Sequence, residues 1–365
     1  MEESNIFSIL PPWAWQPYVF FPIATLVFAG VMVSDRALRV ISTKTFAIIV
    51  ALLGVLIFVL GARNETFYLI IAKGDNVPII MMLYLLGFFT WLAFRCGTQN
   101  DDRIAAGKPP IEDEEAHQKV MVWPDLVYTE FICLILVTLA LLVWSIVLKA
   151  PLEQPATRVD TPNPSKAPWY FLGLQELLVY FDPWIAGVVL PGLVIVGLIA
   201  IPYIDINPKG QGYYTIAERR FAISMFLYGF LIMWVMLIFV GTFLRGPNWN
   251  IFPLGDVWDV HKIEVLNNVN LSEYIWVSGL GQPLPSHWFL RELPGMILVG
   301  AYFAICPGLL AFTIFKRFWN ELGFVRYSIM VGLFLSMAFV VVKMVLRWSF
   351  NLKYFVAIPE HFFNI

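Results

Sequence analysis

Apolar residues in this chain come in long runs, not in alternation. Stretches near the ~20 residues that a helix needs to cross hydrocarbon lie at about 17–34, 46–62, 77–96, 127–148, 184–203, 220–244, 292–315 and 325–346. Each is predicted to be a membrane-spanning helix, because backbone exposed to lipid must satisfy its own N–H and C=O groups and the alternation of a barrel is absent. The expected fold is all-α: a polytopic integral membrane protein with about eight transmembrane helices. Pro191-Gly192 and Pro307-Gly308 fall inside spans, where such pairs mark kinks or close packing. The polar segments divide the chain further. Residues 97–126 form a charged connector without apolar periodicity, so that 1–119 reads as an N-terminal three-helix extension with its connector. Residues 120–250 read as a core of three spans around a Pro-rich loop, and 251–365 as a long loop with two additional spans. The loop at 246–291 holds Trp249, Trp258, Trp276 and Trp288, expected as interface anchors or as cover for a neighbouring subunit. No internal repeat is visible.

Composition agrees with the runs. The chain has 365 residues, is 59% hydrophobic and only 14% charged, which places it with membrane proteins and outside the soluble globular range. A formal net charge of −2 with no basic block gives no reason to expect nucleic acid as a partner. The start, "MEESNIFSILPPWAWQPYVFF", is acidic where a signal peptide is basic, so the first span is expected to be retained. Cys96, Cys133 and Cys306 are too scattered for a disulfide framework, a zinc site or an iron–sulfur site; they are expected to be small buried hydrophobes. Thirteen of the 24 Lys and Arg fall beside the 35–45 loop or on the loops that share its side. Those loops are mostly compact and basic, whereas 150–183 and 246–291 are long and sparsely charged. By the positive-inside rule the long loops, and both termini with them, are expected outside.

Four histidines, His117, His261, His287 and His361, all lie away from the middles of spans. A transmembrane haem held by two imidazoles needs them on facing helices, so this chain is not expected to hold one by itself. Ionisable residues at membrane depth are costly and default to functional candidates. Lys343, late in the eighth span, is expected to snorkel to the interface, and Glu130, one turn into the fourth, to face water near the boundary. Asp125, beside Trp123-Pro124, stands where an N-cap is expected. The most unusual loop is "NPSKAPWYFLGLQELL", residues 163–178. Pro162, Pro164 and Pro168 keep it from collapsing into helix, and a helix is expected near Pro168, with proline in its first turn. Two turns on, Glu176 is then expected on the face of Trp169. Trp169, Tyr170 and Glu176 would supply an aromatic wall, a phenol and a carboxylate at lipid level. A quinol site has those needs: an apolar slot, a hydrogen-bond partner and a proton acceptor. An interfacial helix that merely anchors the loop has the same residues.

The order of features then adds a resemblance. "VMVWPDLVYTEFICLILVTLALL", "APLEQPATRVDTPNPSKAPWYFLGLQELL" and "GVVLPGLVIVGLIAIPYIDINP" together resemble the haem-free C-terminal half of cytochrome b, which in chloroplasts and cyanobacteria is subunit IV of the cytochrome bf complex. The resemblance covers roughly a third of the chain and implies a quinol:acceptor oxidoreductase of cytochrome bc type in a bacterial inner or equivalent energy-conserving membrane. In such a complex the subunit is not catalytic alone. It implies that the loop lies on the positive side and that Pro168, Trp169 and Tyr170 carry the quinol-binding motif. Asp125 is implied to face the quinone-reducing side. Haem b would belong to a cytochrome b N-terminal-half subunit and the iron–sulfur cluster to a Rieske protein, with a c-type cytochrome and lipid as further partners. One departure matters. The family's Pro-Glu-Trp-Tyr reads Ala167-Pro168-Trp169-Tyr170 here, so the motif glutamate is a proline, and Glu176 is the candidate to take over as proton acceptor. A structural or assembly subunit with a degenerate site, a transporter and the quinone-binding anchor of another oxidoreductase are the alternatives.

Overall fold

A computed structural model of the protein describes residues 6–116, 119–148, 152, 155–159, 161–207, 212–265 and 267–365. Its architecture is all-α and polytopic, with two-residue strands Ala357–Ile358 and Phe363–Asn364 as the only sheet among the described residues. Eight apolar helices occupy the eight predicted runs, here called spans one to eight. Span one is Pro17–Val33, 17 residues long and bent by 101° into Asp35–Ile41; the other seven are each long and apolar enough to cross a bilayer. They are Lys44–Gly61, Val77–Ala105, Val122–Val147, Ile185–Ile204, Arg220–Leu244, Trp288–Phe312 and Lys316–Phe350. Span eight starts nine residues before the predicted run because a short helix precedes it, joined across Gly323 at φ 69°, ψ 179°, a conformation that only glycine adopts without strain.

The loops gather at two ends. At one end Asp35 pairs with Arg220, Arg39 with Asp102 at 2.7 Å and Asp205 with Arg219, while Asn100 donates to the Tyr214 carbonyl at 2.9 Å. At the other end the turn of residues 6–9 (Ile6–Ile9), helix Glu65–Ile71, the 163–178 loop, the long loop and the C-terminal tail meet. Phe7, Phe67, Ile71, Ile79, Val240 and Phe243 form the apolar cluster beneath them. Residues 6–16 and 351–365 thus lie at the same end as the 163–178 loop. Spans six and eight are the most buried, whereas no residue in the apolar window of span four is buried.

Three expectations are corrected. Lys343 does not snorkel outward: it is fully buried, and its ammonium donates to the carbonyls of Leu352 (3.4 Å) and Lys353 while lying over the rings of Tyr354 and Phe355. The tail folds back over the span and supplies those acceptors. None of the three cysteines is fully buried, and Cys133 is exposed on span four, whose apolar window holds no buried residue. Asp125 makes no cap; it sits within a π-helical turn, Val122–Leu126, and its carbonyl accepts from the Thr129 hydroxyl at 3.0 Å.

Candidate functional site

The 163–178 loop is held by a small set of polar contacts. Asn163 and Asn248 bond reciprocally, Asn163 Nδ2 to Asn248 Oδ1 at 2.9 Å and the Asn248 amide to Asn163 Oδ1 at 2.7 Å. Asn248 and Trp249 have φ of 57° and 58°, so a tight reversal follows span six, closed where the Phe252 amide donates to the Leu244 carbonyl at 2.8 Å. Gln175 reaches back along the loop. Its Oε1 accepts from the Ala167 amide at 2.8 Å and its Nε2 donates to the Ser165 carbonyl at 2.9 Å. These bonds satisfy backbone groups that the prolines leave outside any helix.

Pro168 precedes the first helical turn and does not sit inside it. Trp169–Phe171 form a 3-10 turn, and the α-helix proper runs from Leu172 to Leu177. The 3-10 turn, at three residues per turn against 3.6, rotates Trp169 only modestly off the face of Glu176, and both side chains meet the end of span six, Trp169 on the cluster of Val240 and Phe243 and Glu176 on Arg245. Gly173 lets the helix lie against span six: a Cβ there would stand 2.7 Å from Trp234 Cδ1. Trp169 packs on the apolar cluster, while Tyr170 and Phe171 remain 47% and 50% exposed with ring centroids 4.6 Å apart. Together the three rings make an aromatic ledge at the ends of the spans.

Glu176 points to a different partner. It is completely buried, and both carboxylate oxygens are taken by Arg245, at 2.9 Å from Nε and 2.6 Å from Nη2. The guanidinium also donates to the Trp249 carbonyl at 2.6 Å. This bidentate geometry is the strong form of an ion pair, and it ties the short helix to the end of span six. Tyr180 is buried nearby, its phenol raised above the ordinary tyrosine range by burial and then by the Glu176 charge.

Lys166 belongs to the same end of span six. Its ammonium donates to the Thr242 carbonyl at 2.8 Å and lies 4.7 Å from the centroid of the Trp258 ring. Thr242 falls in a π-helical turn, Val240–Leu244, that closes the span; such turns free backbone carbonyls and recur at functional sites. Burial pulls the Lys166 ammonium down to about 7. Lys73 and Arg245 act in the same direction, and Asp75 and Glu176 oppose it.

The structure brings Pro168, Trp169, Tyr170 and Glu176 together at one end and does not bring Asp125 to them. Asp125 lies near the start of span four at the opposite end, about 33 Å along the helix from Val147 at ~1.5 Å per residue, and is exposed there, as is Glu130. Of the histidines, His261 and His361 are in loop and tail, and His287 caps span seven by accepting from the Phe289 amide at 3.3 Å; His117 lies outside the described residues. Among the described residues no two imidazoles stand on facing spans. Residues that the chain pattern did not single out are Arg245, Gln175 and Lys166, while Trp258 was expected only as an interface anchor or as cover for a neighbour. A lone Arg closing an apolar run, in "FVGTFLRGPNW", is the one local signal that pointed to any of the first three.

Residues 155–252, the loop with spans five and six, match the family model described as cytochrome b(C-terminal)/b6/petD. No solved structure matches the chain. The match spans about a quarter of this multi-pass membrane protein, and over that stretch the chain is similar to the cytochrome b C-terminal family.

Proposed function

We propose that the chain is a haem-free subunit of a quinol-oxidising cytochrome bc-type complex in a bacterial energy-conserving membrane, and that its 163–178 loop forms part of the quinol pocket on the positive side. The observation that carries this reading is the aromatic ledge of Trp169, Tyr170 and Phe171, held at the span ends inside the stretch that matches the family. A quinol ring lies against Tyr170 and Phe171, the phenol of Tyr170 bonds to one hydroxyl, and the isoprenoid tail runs into lipid beside exposed span four. Haem b and a Rieske cluster, which partner subunits supply, take the two electrons. Pro168 has no side-chain oxygen, so the proton acceptor is another group. Glu176 is the candidate by position, but its two oxygens are committed to Arg245, which supports a clamp that sets the ledge in place. The 120–250 stretch acts as the quinol-site core, with 1–119 and 251–365 as flanking units. Asp125 serves the quinone-reducing side.

A photoactivatable short-chain quinone, irradiated with the intact complex, tests the reading. Labelling concentrated in 163–178 and suppressed by excess quinol is expected; labelling elsewhere, or labelling that quinol does not suppress, rejects it. A degenerate loop that only anchors a neighbour is the second reading. The proline in the motif and the closed Glu176–Arg245 pair favour it, and the same experiment decides against it if the loop is labelled.

A further inference from the structure

The mechanism above leaves unused a lysine, a threonine hydroxyl and an indole N–H that meet behind the ledge. Lys166 is partly buried, and no carboxylate lies within ion-pair distance of it among the described residues. Its fixed partners are a carbonyl and a ring face. Thr242 is 2% exposed, and its hydroxyl has no hydrogen-bond partner among the described residues; the Trp258 indole N–H is buried in the same condition. Buried polar groups nearly always find a partner, so two orphans beside one cation mark a place built to meet an oxygen. Trp169 packs on the same cluster as Val240 and Phe243, the neighbours of Thr242. The ledge and the Lys166 amine therefore flank one end of one helix, with only Ala167 and Pro168 between them in the chain.

We propose that Lys166 is the proton acceptor of this loop, taking a hydroxyl proton from a quinol on the Trp169–Tyr170 ledge with Thr242 and Trp258 holding the oxygen, directly or through one water. The proposal rests on the quinol reading of the loop. As one O–H bond of the quinol breaks, the amine lone pair forms a new N–H bond and becomes ammonium. The second hydroxyl proton goes to water at the exposed face of Tyr170, and the two electrons go to the iron–sulfur and haem acceptors of the partner subunits. The ammonium then returns its proton to water outside. Only a neutral amine can do this, and burial, which brings the group to about 7, makes the neutral form available. Lys73 and Asp75 face it from the turn between spans two and three, Glu176 from the short helix and Arg245 from the end of span six. The Glu176–Arg245 pair contributes opposite signs, so the closed pair leaves the amine's balance nearly unaltered while it positions the loop.

Quinol oxidation by the intact complex is followed against pH for the native chain, Lys166→Arg and Lys166→Met. Arginine keeps the charge and cannot release its proton. The native rate is expected to rise with pH through a midpoint near 7. Both variants are expected to lose about 10²-fold at alkaline pH, the usual worth of a general base, and to lose the rise, while quinone photolabelling of 163–178 persists. A Lys166→Arg complex with the native rate and midpoint, still labelled on the loop, overturns the lysine assignment alone. Absence of loop labelling in the native complex overturns the quinol reading and this inference with it. Should the variants not assemble, amine acylation of Lys166 in the native complex, read by mass spectrometry, replaces them. A reactivity midpoint near 7 with protection by a quinone analogue supports the assignment; a midpoint in the ordinary lysine range without protection overturns it.

Discussion

Glu176 and Arg245 stand 69 positions apart, and nothing local in either segment announces the other. Breaking a buried pair by removing one partner leaves an uncompensated charge and costs about 3–5 kcal/mol, whereas replacing both by apolar groups is often neutral. Glu176→Ala is therefore expected to lower the melting temperature of the detergent-solubilised complex strongly, and Glu176→Ala with Arg245→Met to recover most of the loss. Glu176→Gln separates the two roles considered for this residue. As a clamp, the glutamine variant loses stability and keeps the native pH profile of quinol oxidation; a profile that flattens while stability holds makes Glu176 the proton acceptor. The aromatic residues of the site were legible in the chain because proline spacing and ring clustering are local. The ion pair and the Lys166 contacts were not, because they depend on how the loop after span four folds against the turn after span six.

Close approach between elements is set at two glycines. Gly173 admits the Trp234 ring edge, and Gly295 in span seven admits the carbonyl of Phe355, which would stand 2.0 Å from a Cβ. Gly173→Ala is expected to push the short helix off span six, at the ~1–3 kcal/mol typical of overpacking, and to slow quinol oxidation by tilting the ledge. Gly295→Ala meets backbone, which has less room to give, and is expected to lift the tail. Hydrogen exchange reads this directly: the Phe355 amide, bonded to the Ile365 carbonyl at 2.6 Å, gains exchange rate while amides of the 163–178 loop do not. Element positions were readable from the sequence to within a few residues for most spans, since a 20-residue apolar run has no other stable state in lipid. The exceptions are span three, whose helix runs on through polar residues to Ala105, nine residues past the apolar run, and the Gly323 break, neither of which hydrophobicity registers.

At the scale of the whole molecule, the division into two loop ends follows from eight spans crossing in turn, and it puts the ledge, residues 6–16 and the tail together. No residue in the apolar window of span four is buried, a surface on which neighbouring subunits or lipid would sit. Lys343 shows how composition misleads at this scale. A lysine late in a span is expected to reach water, yet the tail brings it carbonyls and rings, and no pattern within the span predicts a tail folded over its end. On the proposed reading, this chain contributes a quinol pocket to an assembly whose redox centres lie on its partners. A dithionite-minus-ascorbate difference spectrum, with an electron-paramagnetic-resonance spectrum, of the complex that copurifies with the chain tests it most directly. Low-potential b-haem bands together with a Rieske-type signal that shifts when a quinol-site inhibitor is added are expected; a copurified complex lacking both signals would exclude a quinol-oxidising assembly.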